Sequence, residues 1–245
     1  MLDEAALLIA RINDIVDSAY QKDRAFTHFL SESELAVALP IVVKSGLYYS
    51  TFGGYDQSDR RVVGISLSGC PQEDSFPITT LYFKTNQKKN IGHRDVLGAL
   101  LALGIKRSLV GDIFFSDGFC YFFVESNISD FVINNFDSVA DLSVKVQKFD
   151  GKIQYKREFE QMVCIVMSMR LDCIVSAVAS CSRAEAEMKI SSGTVFVNSM
   201  SVKKKDFILK FGDILSVRRL GKYKLDYAAG TTKKGRIKLN ILKYT

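Results

Sequence analysis

Residues 169–217 read MRLDCIVSAVASCSRAEAEMKISSGTVFVNSMSVKKKDFILKFGDILSV, and the rest of the chain is read outward from them. Leu171, Ile174, Val175 and Val178 follow the three- and four-residue spacing of one helical stripe, which predicts a helix buried along that side. Ser182-Arg183-Ala184-Glu185 has the form of a capping box, so a second helix starts with Ser182 as N-cap and Glu185 reaching back to its amide. Gly193 supplies a left-handed stop. A short strand follows at Thr194–Asn198, Lys203-Lys204-Lys205 lies on a connecting loop, and Gly212-Asp213 turns into a return strand at Ile214–Val217.

Charge gives this segment a ligand class. The chain has 245 residues and net charge +6, but residues 151–245 hold 19 Lys+Arg against 8 Asp+Glu, while residues 1–150 hold 14 against 19. A basic C-terminal third beside an acidic remainder predicts a localised polyanion-binding face. Arg170 stands just before the first helix and Arg183 just inside the second, where free helix N–H groups favour a phosphate. Such clusters bind a polyanion by charge and shape, and basicity alone does not separate RNA from DNA or anionic lipid; RNA is the ligand that the module resemblance given below implies. As exposed cations the two arginines are expected to add little to folding. Asp172 is expected to orient an arginine or cap its helix. The full set of candidate RNA-binding residues is Arg170, Asp172, Ser182, Arg183, Lys189, Asn198, Lys203, Lys204, Lys205, Arg218, Arg219, Lys222, Lys233, Lys234 and Arg236, the last three at a basic hairpin tip.

Composition bounds the remainder. Apolar content of 47% with 24% charged residues fits a folded protein. No run reaches the roughly 18–20 apolar residues that span a bilayer, and Met1–Tyr20 carries charges within its apolar pattern, so neither membrane nor secretory signal is expected and a cytoplasmic location is. Cys70, Cys120, Cys164, Cys173 and Cys181 form no C-x-x-C pair, and His28 and His93 are the only histidines, so no metal site and no cofactor is expected.

Two polar stretches, Cys70–Pro77 and Asp150–Gln161, suggest an α+β chain of three units: an N-terminal region at 1–75, a middle domain at 76–150 and the basic domain at 160–245. In the first, Leu8, Ile12, Ile15, Val16 and Ala19 form one helical stripe. A second helix starts near Ser33, with Pro40 expected to kink or end it, and strands follow at Leu47–Phe52 and Arg61–Leu67. The middle unit reads strand (Thr79–Lys84), helix (His93–Leu103), strand (Asp112–Ser116), strand (Phe119–Glu125), helix (Asn127–Phe136), strand (Leu142–Lys148), with Asp117-Gly118 as a two-residue hairpin. That order is ferredoxin-like, as in RNA-recognition domains. Phe119, Tyr121 and Phe123 share one strand face; they are either stacking aromatics or the core beneath the helices, and the opposite face is apolar too.

The ordered set in 169–217 resembles the S-four (αL) RNA-binding module. Arg-Leu-Asp also surrounds the catalytic aspartate of pseudouridine synthases, but Cys173-Ile174-Val175 lacks the turn expected there, so no catalytic residue is assigned. A wider resemblance, to the YlmH family, rests on Gly53-Gly54-Tyr55 with Arg60-Arg61, His93-Arg94-Asp95-Val96-Leu97-Gly98, Leu103-Gly104-Ile105-Lys106-Arg107, Gly111-Asp112-Ile113, Ser216 to Tyr223 and Gly230 to Arg236. Arg218-Arg219-Leu220-Gly221-Lys222 departs from the family's Arg-Gly-x-Gly-Arg but keeps the charge, as Ser58-Asp59-Arg60-Arg61 does where members usually carry an acidic-Arg pair. The resemblance implies a non-enzymatic factor with a C-terminal S-four domain, associated with the large ribosomal subunit in quality control of stalled subunits, with rRNA and tRNA as partners and DNA not expected. Arg60, Arg61, His93, Arg94 and Arg107 are additional candidate RNA or ribosome contacts. The alternative is an RNA-modifying enzyme working around His93, Arg94, Asp95 and Asp112 with the S-four domain docking its substrate.

Overall fold

A computed structural model describes residues 4–85, 91–153, 155 and 159–244. The chain forms two compact units, residues 1–155 and 156–245.

The first unit opens with α1 (Glu4–Lys22), whose predicted stripe buries Ile12, Val16 and Ala19. After β1 (Arg24–Phe26) comes α2 (Glu32–Lys44), started by a complete capping box between Ser31 and Glu34, slightly earlier than expected. Pro40 does not end α2. Its ring removes the donor for the carbonyl one turn back, but Ala38 and Val42 on either side are fully buried and hold the helix to the core. β2 (Tyr48–Phe52) and β3 (Val62–Ser66) complete a three-stranded antiparallel sheet in the order β1-β3-β2.

The ferredoxin-like order is then present: β4 (Ile78–Lys84), α3 (His93–Ala102), β5 (Val110–Ser116), β6 (Phe119–Glu125) and α4 (Ser129–Asn135). The closing strand is far shorter than Leu142–Lys148. Ala140 takes φ +50° in a small hairpin of β7 (Ser138–Val139) and β8 (Leu142–Ser143), leaving only β9 (Gln147–Lys148) to pair with β4. The four strands lie antiparallel in the order β5-β6-β4-β9. Cys120, Phe122 and Val124 of β6 face the helix-covered core, packed with Val96, Leu100 and Val132.

The rings of Phe119, Tyr121 and Phe123 therefore lie on the face away from the helices, not beneath them. Phe123 is fully buried because Tyr55 stacks on it at 5.4 Å, whereas Phe119 and Tyr121 are half-buried. Phe29, Tyr55 and Val62 from the stretch before residue 75 share this aromatic core with Phe76, Phe114 and Phe123. The two regions separated at 75/76 by sequence thus lie within one compact unit.

In the second unit β10 (Phe159–Val166) begins within the last residues of the polar stretch Asp150–Gln161. It pairs with β15 (Ile237–Tyr244) along its whole length. Helices α5 (Leu171–Val178) and α6 (Arg183–Ser191) follow, then β11 (Val195–Val197), β12 (Met200–Ser201), β13 (Ile214–Val217) and β14 (Gly221–Thr231). The antiparallel sheet runs β10-β15-β14-β13-β11-β12. Its inner face, with Leu215, Leu225, Leu239 and Ile241, packs against Leu171, Ile174, Ala186 and Ile190 of the two helices. Gly193 has φ +71°, the predicted left-handed stop.

Among the described residues no helix is long and apolar enough to cross a membrane, and no cluster of metal-ligating side chains occurs. Burial pushes the thiols of Cys120 and Cys164 up, away from the reactive thiolate.

Gly54 is the tightest backbone approach in the aromatic core. Its φ is +100°, and a Cβ there would lie 2.1 Å from the Phe123 ring. Gly54→Ala is expected to destabilise the first unit by about 2–4 kcal/mol through the combined clash and backbone strain. A urea unfolding midpoint unchanged by the substitution would show that the ring is free to move aside.

Candidate nucleic-acid interface

α5 begins on a buried charge. Arg170 is its N-cap residue, and Asp172, in the first turn, has no exposed surface. Four N–H donors from three residues meet the carboxylate in place of solvent. Arg170 donates from Nε to Oδ1 and from Nη2 to Oδ2, both at 3.1 Å; Arg183 donates from Nη2 to Oδ2 at 2.6 Å; and the Cys173 amide donates to Oδ1 at 2.9 Å. Burial by itself would raise the carboxyl pKa, but the hydrogen bonds and charges of the two arginines outweigh it and hold the group well below the usual carboxylate range. The arginine side chains stay 35% and 54% exposed. Each guanidinium therefore keeps N–H donors for an outside anion while its orientation is set from within.

The lysine loop is fastened to the same spot. The Asp172 N–H donates to the Lys205 carbonyl at 3.0 Å, the Leu171 N–H to Phe207 at 2.8 Å, and the Leu209 N–H to Met169 at 2.9 Å. The tertiary structure thereby brings Arg170, Arg183 and the Lys205 end of the lysine loop to one place, while the Lys203 side chain lies by Gly193, past the far end of α6. The three lysines differ: Lys205 Nζ pairs with Glu187 at 2.9 Å, Lys204 lies 3.9 Å from Asp206, and Lys203 has no ion pair among the described residues.

Other sequence candidates fall elsewhere. Ser182 and Glu185 form the predicted box, with the Ser182 N–H donating to Glu185 Oε2 at 2.8 Å and the Glu185 N–H to Ser182 Oγ at 3.2 Å. The backbone and hydroxyl donors of Ser182 hold the Glu185 carboxyl below its usual range. A carboxylate thus sits against the α6 N-terminus expected to attract phosphate, which shifts that role to the guanidinia. Asn198 is a turn residue, not a free contact: its Nδ2 donates to Asp213 at 2.9 Å, its Oδ1 accepts from the Ile214 N–H at 2.9 Å, and its φ is +47°. Lys189, Arg218 and Arg219 surround a groove on the other flank of α6. Lys222 Nζ lies 5.0 Å from the Tyr244 ring centroid. Lys233, Lys234 and Arg236 lie exposed at the β14–β15 hairpin tip.

In the first unit the arginines hold backbone rather than offer charge. Arg60 donates from Nε to Val110 O (3.1 Å) and from Nη2 to Phe29 O (2.8 Å); Arg61 donates from Nε to Ser58 O (2.9 Å) and from Nη2 to Asp56 O (2.6 Å); Arg107 donates from Nη1 to Val110 O and Gly111 O. Burial, then the neighbouring Arg60 charge, lowers Arg107 to about 10. Partial desolvation, then the Arg107 charge, holds His93 below its ordinary value. Arg94 alone of these five is an exposed cation without such a bond among the described residues. Asp112 accepts from the Tyr55 hydroxyl (2.9 Å) and from the Asp59 and Arg60 amides (2.7 and 3.1 Å), and Asp95 caps α3 by accepting from the Gly92 N–H at 2.8 Å. Sequence spacing gave no sign of the Arg60–Arg107–Asp112 network, in which Arg60 lies 47 and 52 residues from Arg107 and Asp112.

Residues 71–159 match the family model described as "Putative RNA-binding domain in YlmH". The chain is 28% identical over 212 residues to the ribosome-associated protein quality control protein P2 of Bacillus subtilis, covering 85% of this chain and 82% of that one. The chain is YlmH-like. The structure described as cell division protein ylmH from Streptococcus pneumoniae matches with a TM-score of 0.52 at 16% identity, over 61% of this chain and 93% of that one, a likeness of fold. The YlmH family model falls mainly in the first unit, and the helix pair bearing Arg170, Asp172 and Arg183 lies beyond its limit.

The buried carboxylate changes what removing the arginines should do. Replacing both with Ala leaves an unpaired buried charge, so the second unit should melt early, contrary to the small effect expected of exposed arginines. Adding Asp172→Leu to that pair should restore much of the melting temperature without restoring RNA affinity, separating positioning from folding. Because Asp172 titrates lower folded than unfolded, its contribution is complete above its unfolded pKa of about 4 and is lost as pH falls below it toward the folded value. Asp172→Asn should remove that acid-side component. Melting curves between about pH 2 and 7 check the sign, and identical pH profiles for the variant and the parent would contradict it.

Proposed function

We propose that this protein is a non-enzymatic, cytoplasmic RNA-binding factor that works on the ribosome. It binds structured rRNA and tRNA on the large subunit, in quality control of stalled ribosomes, and requires no cofactor. The observation that carries the reading is the pair of arginines held by buried Asp172 beside the lysine loop, on a C-terminal third with 19 basic against 8 acidic residues. Such a face suits an RNA backbone because its cations are oriented beforehand and lose little freedom on binding. The RNA-binding description of the family model over residues 71–159 and the ribosome-associated name of the Bacillus relative support the same reading. The role in stalled subunits rests on that name and on the YlmH resemblance. In this view the second unit supplies the electrostatic grip, and the acidic first unit sets position or recruits a protein.

Crosslinking in cells followed by sequencing of the attached RNA tests the partner. Large-subunit rRNA and tRNA should dominate; a spread over messenger RNA would overturn the reading. In vitro, affinity for structured RNA should fall roughly 10- to 100-fold between about 50 and 200 mM salt, as neutralising two to four phosphates requires. A fragment of residues 1–155 should bind naked RNA far more weakly than the full chain. Equal binding by the two, or affinity indifferent to salt, would move the principal site away from the second unit.

A further inference from the structure

The groove between α6 and the β13–β14 turn differs in kind from the arginine pair. It is an open groove of about 750 Å³, and its walls mix Met188 and Leu220 with Lys189, Arg218, Arg219, Thr194 and Glu185, whose carboxylate is taken up by Ser182. Met188 and Leu220 are 62% and 40% exposed. On α6, Arg183 and Glu187 lie on the flank facing the lysine loop, whereas Met188 and Lys189 lie on the groove flank. The groove is thus a separate surface of the same unit.

Two features show that the turn is built to present its side chains. Arg219 has φ +70°, a conformation in which a side chain costs about 1–2 kcal/mol and glycine costs nothing. Strain of this kind is retained where a side chain is needed. The turn is also fixed: the Arg218 N–H donates to Thr194 O at 2.9 Å, the Leu220 N–H to Val217 O at 3.0 Å, and the Tyr223 hydroxyl to Leu220 O at 3.2 Å. Neither guanidinium of Arg218 and Arg219 has a hydrogen-bond or ion-pair partner among the described residues, and both side chains are exposed.

We propose that this groove takes one unstacked nucleotide of the bound RNA, its base against Met188 and Leu220 and its phosphate at Arg218 and Arg219. The inference rests on the RNA-binding reading and adds to it a requirement on the RNA. A grip on paired backbone needs cations alone and leaves the two apolar side chains without a role. An extruded base has apolar faces for Met188 and Leu220, guanidinium planes to stack on, and an anionic phosphate beside it. A nucleotide already unpaired, in a bulge or loop, enters without the expense of breaking a base pair.

The test uses the full chain and two hairpin RNAs of one sequence, one carrying a single unpaired adenosine and the other with it deleted, titrated by fluorescence anisotropy at low salt. The parent protein should prefer the bulged hairpin by about tenfold, the scale of one stacked base. Arg219→Gly and Met188→Ala should each bring that ratio to within about twofold of unity. Arg219→Gly relieves the strained backbone, so its melting temperature should be no lower than the parent's, which separates lost binding from lost folding. Equal affinity of the parent for the two hairpins, or a ratio retained in both variants, overturns the groove assignment and leaves the RNA-binding reading standing. Binding to neither hairpin at low salt overturns both.

Discussion

A carboxylate without solvent exposure, Asp172, lies at the start of α5, and the architecture around it answers to the need to compensate it. An isolated ionised group in such a place is several kcal/mol unfavourable, and two arginines with a backbone amide offset that only in one arrangement. Arg170 must cap α5, Arg183 must open α6, and the two helix starts must therefore converge. The lysine loop joins them through backbone hydrogen bonds to Met169, Leu171 and Asp172. One ion triad thus aligns three chain segments and leaves an outward face of cations.

Under the proposed RNA-binding role, this arrangement lets a small unit grip its ligand. A free surface arginine surrenders much side-chain freedom when it binds phosphate. Here a buried partner has already restrained the guanidinium, while its remaining N–H groups stay directed outward. On that reading folding and binding are linked at Arg170 and Arg183, and removal of either side chain is expected to disturb both.

The first unit uses the same residue types to the opposite end. Arg60, Arg61 and Arg107 donate to main-chain carbonyls of the 53–61 loop, β5 and their neighbours, and Asp112 collects the facing amides. Their charge serves to hold a glycine-rich loop against an aromatic core in which Tyr55 stacks on Phe123. The sheet is consequently covered on its helix side by α3 and α4 and, at Phe123, on the other side by Tyr55, leaving Phe119 and Tyr121 half-buried.

Local chemistry was legible in the sequence wherever a few neighbouring residues suffice to impose it. The stripes of α1 and α5, the capping box at Ser182, the glycine stop at Gly193 and the hairpin at Asp117-Gly118 all depend on interactions within one turn or one loop, and they stand where expected. The concentration of positive charge after residue 150 is equally a property of composition. What only the tertiary structure decided depends on partners distant in the chain. Sequence read Arg170 and Arg183 as exposed cations with Asp172 expected to orient one arginine or cap its helix, but the burial of Asp172, which makes it hold both, comes from packing of α5, α6 and the sheet. Similarly, Arg60 and Arg107 read as surface cations until β5 and the 53–61 loop meet, and α2 continues through Pro40 because core packing outweighs one missing donor. Short-range rules fix which elements form; the dielectric and the distances between them, which set what each charge does, exist only once those elements have packed.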